Sequence, residues 1–210
     1  MELYYVPGAC SLSIHITLEW IKNTYPDFSY IAHKVSHEEM KKSTYLELNP
    51  MGIVPTLTDG SLVISQNTAI MEYLNERFPK ANLFGSEELI IKTETRKWLS
   101  VMTSDLHSKF GFFFKPQAYS TKPEVQEELQ HKAAKSIQTI LTILNKSLEE
   151  NDFLSGGNRG VADAFLLVML NWVDHLKINI SSRNALDRVR NELTKDSAVL
   201  SAMRQEGLIS

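Results

Sequence analysis

The chain of 210 residues sets 22 Lys and Arg against 25 Asp and Glu, a formal net charge of −3, with 43% hydrophobic and 22% charged residues. That balance matches a globular protein with a sizeable core and excludes a disordered chain, while mild acidity without any basic cluster argues against a nucleic-acid surface. The single cysteine, Cys10, rules out an internal disulfide, and with Glu2 where a secretory signal starts basic, a cytoplasmic protein is expected.

Five of the seven prolines (Pro7, Pro26, Pro50, Pro55, Pro79) fall in the first 80 residues among short aromatic and β-branched runs, the punctuation of short strands alternating with helices. The pattern predicts a strand over 2–6, a helix over 11–22, a strand over 28–34 and a helix over 38–47. A hairpin of 56–58 and 62–64 follows, turned by Asp59-Gly60, then a helix over 66–77. Pro79, Asn82 and Gly85 break periodicity and mark a linker. Beyond Glu87 long helices are expected: Val125, Leu129, Ala133, Ile137, Ile140, Leu141, Leu144 and Leu148 recur every three or four residues on one helix face. Thr121 and Glu124 can close a capping box at its start. The apolar run Val161–Val173, interrupted by Asp163 and Asn171, is shorter than the roughly 20 residues of a membrane span and reads as a buried helix.

Cys10 follows Pro7-Gly8-Ala9, where a strand ends and a helix begins. Free amides and the positive end of the helix dipole there favour a thiolate; a small buried hydrophobe is the competing reading. Val54-Pro55 stands before a strand. A cis bond would present the Val54 backbone outward, although trans is the default. Ser65-Gln66-Asn67-Thr68 opens a helix whose amides can hold a carboxylate, and simple capping accounts for the same residues. Asp163 lies in the first turn of the apolar helix and reads as a structural cap. His33 and His37 lack the second pair of a zinc motif, so no metal is expected. His107 precedes Phe110, Phe112, Phe113 and Phe114, which can line an apolar cleft or pack a core.

Seven segments in order carry a resemblance running from Met1 to Leu208. They are Leu3-Tyr4-Tyr5-Val6-Pro7-Gly8-Ala9-Cys10-Ser11-Leu12, Asn49-Pro50-Met51-Gly52-Ile53-Val54-Pro55-Thr56-Leu57, Ala69-Ile70-Met71-Glu72-Tyr73-Leu74 and Asp105-Leu106-His107. Val161-Ala162-Asp163-Ala164, Leu170-Asn171-Trp172 and Ala202-Met203-Arg204-Gln205-Glu206-Gly207-Leu208 complete the set. On these the chain resembles the bacterial beta-class glutathione S-transferases.

The resemblance implies a thioredoxin-like α/β N-terminal domain (1–78) that binds glutathione, a linker (79–85), and an all-α C-terminal domain (86–210) forming the second-substrate pocket. It also implies a homodimer. Cys10 would meet the glutathione sulfur and His107 would line the active site. Pro55 would be cis, and Val54 would pair its backbone with the cysteinyl part of glutathione. Lys34 would approach the glycyl carboxylate, Gln66 and Asn67 the γ-glutamyl end, and Asp105 the partner's glutathione. The implied activity is conjugation of glutathione, as co-substrate, to small apolar electrophiles, with thiol–disulfide exchange or peroxide reduction through Cys10. A non-catalytic ligandin-like carrier or interaction protein is the alternative. The chain departs from the family pattern at Gln66 and Asn67, where an acidic and a small residue are usual, at Ile53 in place of Gln, and at Gly160 in place of a capping Ser or Thr.

Overall fold

In the computed structural model, which describes residues 1–210, strand β1 (Glu2–Tyr5) turns Leu3 and Tyr5 into the core and Glu2 and Tyr4 to the other face, the period-two burial a strand imposes. Helix α1 (Leu12–Thr24) is buried on every side from Leu12 to Ile21, so it is sandwiched rather than laid on a surface. Strand β2 (Ile31–Lys34) runs parallel to β1, with Glu2 opposite Ile31 and Tyr5 opposite Lys34. After α2 (Ser43–Leu48), strands β3 (Thr56–Asp59) and β4 (Leu62–Ser65) form the hairpin expected at Asp59-Gly60. Strand β3 lies antiparallel to β1, giving the mixed order β2-β1-β3-β4. Helix α3 (Asn67–Arg77) completes the α/β layer.

Two expectations in this layer need correction. The strand over 28–34 begins only at Ile31, because Phe28 donates its amide to Tyr25 and packs edge-on against Phe78 at 4.9 Å, ending the chain's extension there. The helix over 38–47 is broken at Lys42, whose extended backbone (ψ 150) separates a 3-10 turn, Glu39–Lys41, from α2. Ser36 and Glu39 cap that turn reciprocally: the Ser36 amide donates to Glu39 Oε2 at 2.7 Å and the Glu39 amide to Ser36 Oγ at 3.1 Å.

Beyond a 3-10 turn at Pro79–Ala81 the chain is all helical. Helix α4 (Leu89–Ser100) continues through a π-helical stretch, Val101–His107, into α5 (Ser108–Phe114). The long helix α6 (Pro123–Glu150) buries Ala133, Ile137, Leu141, Leu144 and Leu148, as their spacing requires, while Val125, Leu129 and Ile140 are only half-buried. Its expected capping box does not form. Pro123 occupies the first helical position and moves the cap to Lys122, beyond Thr121. The buried helix α7 (Val161–His175), α8 (Asn184–Leu193) and α9 (Ser197–Gln205) follow. Helices α7 and α9 both pack on α1, so one continuous hydrophobic cluster joins the α/β layer to the helical half. A mixed sheet with flanking helices followed by an all-helical half is the architecture expected from the sequence. No helix is long and apolar enough to cross a membrane.

Candidate functional site

The end of β1 delivers Cys10 through a turn in which the Ala9 amide donates to Val6 O at 3.0 Å and Gly8 adopts φ +70, a conformation that favours glycine. Cys10 precedes Ser11, the N-cap of α1. Contrary to the thiolate expectation, burial pushes the Cys10 thiol up to about 11. The Asn67 carboxamide and the Cys10 and Ser11 amides favour the thiolate, yet together they are outweighed. The sulfur is therefore a neutral S–H at pH 7, and it donates toward Val54 O at 3.5 Å.

Val54-Pro55 is cis, against the default for an isolated X-Pro bond. Asn49 Nδ2 and the Tyr45 hydroxyl both donate to Ile53 O, at 2.9 and 2.8 Å, and both also bond Thr56 Oγ1, so the loop is pinned from below. Val54 itself lies outside every helix and strand. The Cys10 thiol is its only hydrogen-bond partner.

Gln66 caps α3 from φ 76, unusual for a residue with a side chain, and its own side chain is exposed beside Met51. Asn67 is buried. Its Nδ2 donates to Cys10 O at 3.3 Å, and its Oδ1 has no partner. The amides of Asn67, Thr68 and Ala69 find no acceptor within the chain, because the first helical bond is Ile70 N to Gln66 O. Three free amides at a helix start form a seat for a carboxylate.

From the helical half, His107 ends the π-helical stretch and rests against Trp172 (5.3 Å between ring centres) and Phe165 (6.1 Å). Burial lowers its pKa and keeps the imidazole neutral. Trp172 Nε1 donates to Gly8 O at 2.8 Å, tying this wall to the Cys10 loop. The aromatic run divides between the two roles weighed for it. Phe110 is wholly buried core, edge-on to Trp172 at 5.2 Å; Phe114 is 44% exposed, stacks on Phe110 and is also edge-on to Trp172 at 5.2 Å. Phe112 pairs with Tyr119 at 4.2 Å.

Hydrogen bonds thus join Cys10 to Val54 and to Asn67, the chain neighbours of Pro55 and Gln66, and His107 reaches the same loop through Trp172. Lys34, at the end of β2, and Asp105, on the π-helical stretch, are exposed, and neither side chain bonds another residue of the chain. Sequence reasoning gave no role to Trp172, nor to a buried network behind the loop. There Glu206 accepts from the Gly8 amide (2.8 Å) and pairs with His15 Nδ1 (3.0 Å), while His15 Nε2 meets Gln205 Oε1 (3.2 Å). Trp172 and Glu206 stand in two of the resembling segments, but nothing in the local sequence says what they touch. A cavity of ≈ 490 Å³ between Tyr25, Phe28, Arg77 and Phe78 lies at the opposite end of the sheet, beside Met1, and none of the expected site residues lines it.

Residues 10–77 match the family description "Glutathione S-transferase, N-terminal domain" and residues 101–195 match "Glutathione S-transferase, C-terminal domain". A glutathione S-transferase of Xanthomonas campestris is 32% identical over 208 residues, covering 99% of this chain and all of that protein. Among solved structures, a glutathione S-transferase from Xylella fastidiosa superposes with a TM-score of 0.92 at 32% identity, covering 99% of both chains. A sphingomonad glutathione S-transferase complexed with glutathione (31% identity) and a bacterial beta-class enzyme of Sphingomonas chungbukensis (30%) each superpose at 0.85 over the whole of both chains.

Proposed function

The chain belongs to the glutathione S-transferase family, and from that premise we propose that it is a beta-class enzyme conjugating glutathione to small apolar electrophiles. The observation that carries this reading is the juxtaposition of the Cys10 thiol, the Val54 backbone and the free amides opening α3. An extended tripeptide fits that row of groups. Its γ-glutamyl carboxylate would take the free amides that open α3, beginning at Asn67, its cysteinyl unit would pair with Val54 as a short added strand, and its sulfur would lie at Cys10. Lys34, unpaired on the β2 side, would receive the glycyl carboxylate.

A neutral Cys10 S–H suits conjugation, since a donor beside the ligand sulfur stabilises that sulfur as the attacking thiolate. His107 and Trp172, with Phe114 exposed beside them, supply an apolar wall for the electrophile. As a thiolate, Cys10 would attack a glutathione disulfide, forming a mixed disulfide and releasing the second glutathione as thiolate; peroxide reduction through Cys10 belongs with the same redox role. A homodimer in a reducing cytoplasm completes the reading. Leu62 and Val63 on the edge strand β4 (43% and 44% exposed) and Leu89 and Ile90 at the start of α4 (76% each) offer apolar surface for the partner, beside which Asp105 would reach the second glutathione.

Retention on immobilised glutathione, turnover of an aryl halide, and one glutathione mass added to the unreduced protein after exposure to oxidised glutathione test the proposal together. A protein that neither binds nor turns over overturns it, and binding without turnover leaves a ligandin-like carrier. Sedimentation at micromolar concentration is expected to give twice the mass of one chain, and a monomer would refute the dimer.

A further inference from the structure

Helix α5 and the strap that follows it bring one more polar group to the wall formed by His107, Trp172 and Phe114. His107, Gly111 and Phe114 stand four and three residues apart, so they are neighbours along one side of the helix. His107 and Phe114 meet the Trp172 ring at 5.3 and 5.2 Å, and Trp172 is bonded to Gly8, two residues before Cys10. Between them Gly111 has no side chain, and the Tyr119 hydroxyl takes that space. A 3-10 turn, Pro116–Ala118, folds the chain back over α5, so that a Cβ on Gly111 would lie 2.5 Å from the Tyr119 oxygen. The Tyr119 ring rests on Phe112 at 4.2 Å, and the strap is tied to α6: Gln130 Nε2 donates to Phe112 O at 3.1 Å and Gln126 Nε2 to Ser120 O at 2.7 Å. Tyr119 is nonetheless 49% exposed, and its hydroxyl bonds no other group of the chain. A phenol held in this way, with its O–H free at the rim of an apolar wall, is a donor without an acceptor in the chain.

We propose that Tyr119 is a catalytic residue for one class of electrophile, the α,β-unsaturated ketones and aldehydes. The glutathione sulfur attacks the β-carbon of such a substrate. As the sulfur–carbon bond forms, the C=C electron pair shifts toward the carbonyl, and the carbonyl oxygen takes up negative charge. Tyr119 O–H donates to that oxygen, and the hydrogen bond is stronger in the transition state than in the bound substrate. The α-carbon then takes a proton from water, replacing the one the glutathione thiol gave up, and the product is the saturated thioether. Cys10 and Tyr119 thus serve opposite ends of the reaction, the thiol beside the attacking sulfur and the phenol at the oxygen where the charge arrives. Trp172 and Phe114 face the apolar remainder of the substrate. An aryl halide draws less from Tyr119, because its charge spreads over the ring and the ring substituents. The inference rests on the glutathione-site reading and names the electrophile class that the site favours.

Turnover of benzylideneacetone, an aryl enone, and of chlorodinitrobenzene, an aryl halide, is compared at saturating glutathione in the same preparations. Tyr119→Phe keeps the ring on Phe112 and removes only the hydroxyl. Its ratio of kcat/KM for the enone to that for the aryl halide is expected to fall about tenfold, less than for a buried oxyanion donor because water replaces part of the bond. Gly111→Ala keeps Tyr119 but puts a methyl group where the hydroxyl lies, and is expected to lower the same ratio. Urea melts of both variants establish that they are folded. A ratio within about twofold of the unmodified protein's in both variants overturns the inference, and continued turnover of the aryl halide leaves the site reading standing. Turnover of the aryl halide with none of the enone in the unmodified protein also overturns the inference alone. Failure to turn over either substrate overturns both.

Discussion

At Cys10 two effects on one sulfur oppose each other, and their balance has a measurable consequence. Burial raises the thiol pKa to about 11, against about 8.5 for free cysteine. At pH 7 far less thiolate is present, although a more basic thiolate is also more nucleophilic and recovers part of the loss. Alkylation of the ligand-free protein by iodoacetamide is therefore expected to run about 20-fold slower than that of free cysteine, rising with pH up to about pH 11. A rate equal to that of free cysteine would mean that the helix end prevails. Gln66 offers a second measurement. A carboxylate there would meet the ligand's α-ammonium with an ionic hydrogen bond, of about 1.5–3 kcal/mol against roughly 0.5–1.5 for a neutral one. Because Gln66 is exposed, solvent screens the gain. Gln66→Glu is expected to tighten glutathione binding about three- to tenfold in calorimetry, with the advantage shrinking in high salt; equal or weaker binding would show that the charge comes from elsewhere.

Among the elements, the start of α7 shows how a departure from the family pattern is absorbed. A side chain at Gly160 would put its Cβ 2.6 Å from Leu83 O and 2.5 Å from Ser155 Oγ, so the Ser155 hydroxyl already fills the space of the usual cap. Asp163 does the remaining work, with Oδ2 accepting from the Gly160 amide (2.9 Å) and Oδ1 from the Leu154 amide (2.7 Å). Full burial raises its pKa to about 6 from an ordinary 3.8. The folded state thus binds the proton more tightly than the unfolded chain. This group's contribution is fully present below about pH 4 and is lost as pH rises through 6, a change of about 2 kcal/mol between pH 4.5 and 7. Asp163→Asn keeps the shape but turns an NH2 toward one of the two amides, and is expected to cost about 1–3 kcal/mol at pH 7 and more at pH 4.5. Urea melts at both pH values check it, and a pH-independent penalty would place the proton elsewhere. Asp163 was legible as a cap because its partners are local in sequence. The π-helical stretch at Val101–His107 was not, since its residues carry no signal that separates a wide turn from an ordinary one.

Over the whole molecule, legibility follows sequence distance in the same way. The βαβ-αββα order, the buried α7 and the buried stripe of α6 follow from periodicity and punctuation, and Cys10, Val54 and Asn67 lie near turns that mark them. The seam between the two halves does not, because it pairs residues nearly 200 positions apart: Gly8 with Glu206, His15 with Gln205 and Glu206, and Glu19 with Gln205. That seam has a function in the fold. The Gly8 amide and carbonyl are both held by the helical half, through Glu206 and Trp172, so the loop carrying Cys10 is fixed from outside the α/β layer. The side chains of His15 and Glu206 are fully buried, and removing one partner leaves the other's hydrogen-bonding group unsatisfied, at a cost of about 1–3 kcal/mol. Glu206→Gln keeps the shape: one amide oxygen can serve Gly8 or His15, while its NH2 opposes the other donor. The expected loss is about 1–3 kcal/mol in urea unfolding. Under conditions where the variant remains folded, conjugation should also fall several-fold, because the loop that aligns the sulfur has lost an anchor, and a displacement well under a hydrogen-bond length is enough to matter at a reacting centre. Trp172→Phe removes the other anchor while keeping an aromatic ring, and should lower turnover with a smaller loss of stability. If Glu206→Gln lost stability but kept full turnover when folded, the seam would be cement alone, and the position of Cys10 would be set within the α/β layer by Val54 and Asn67.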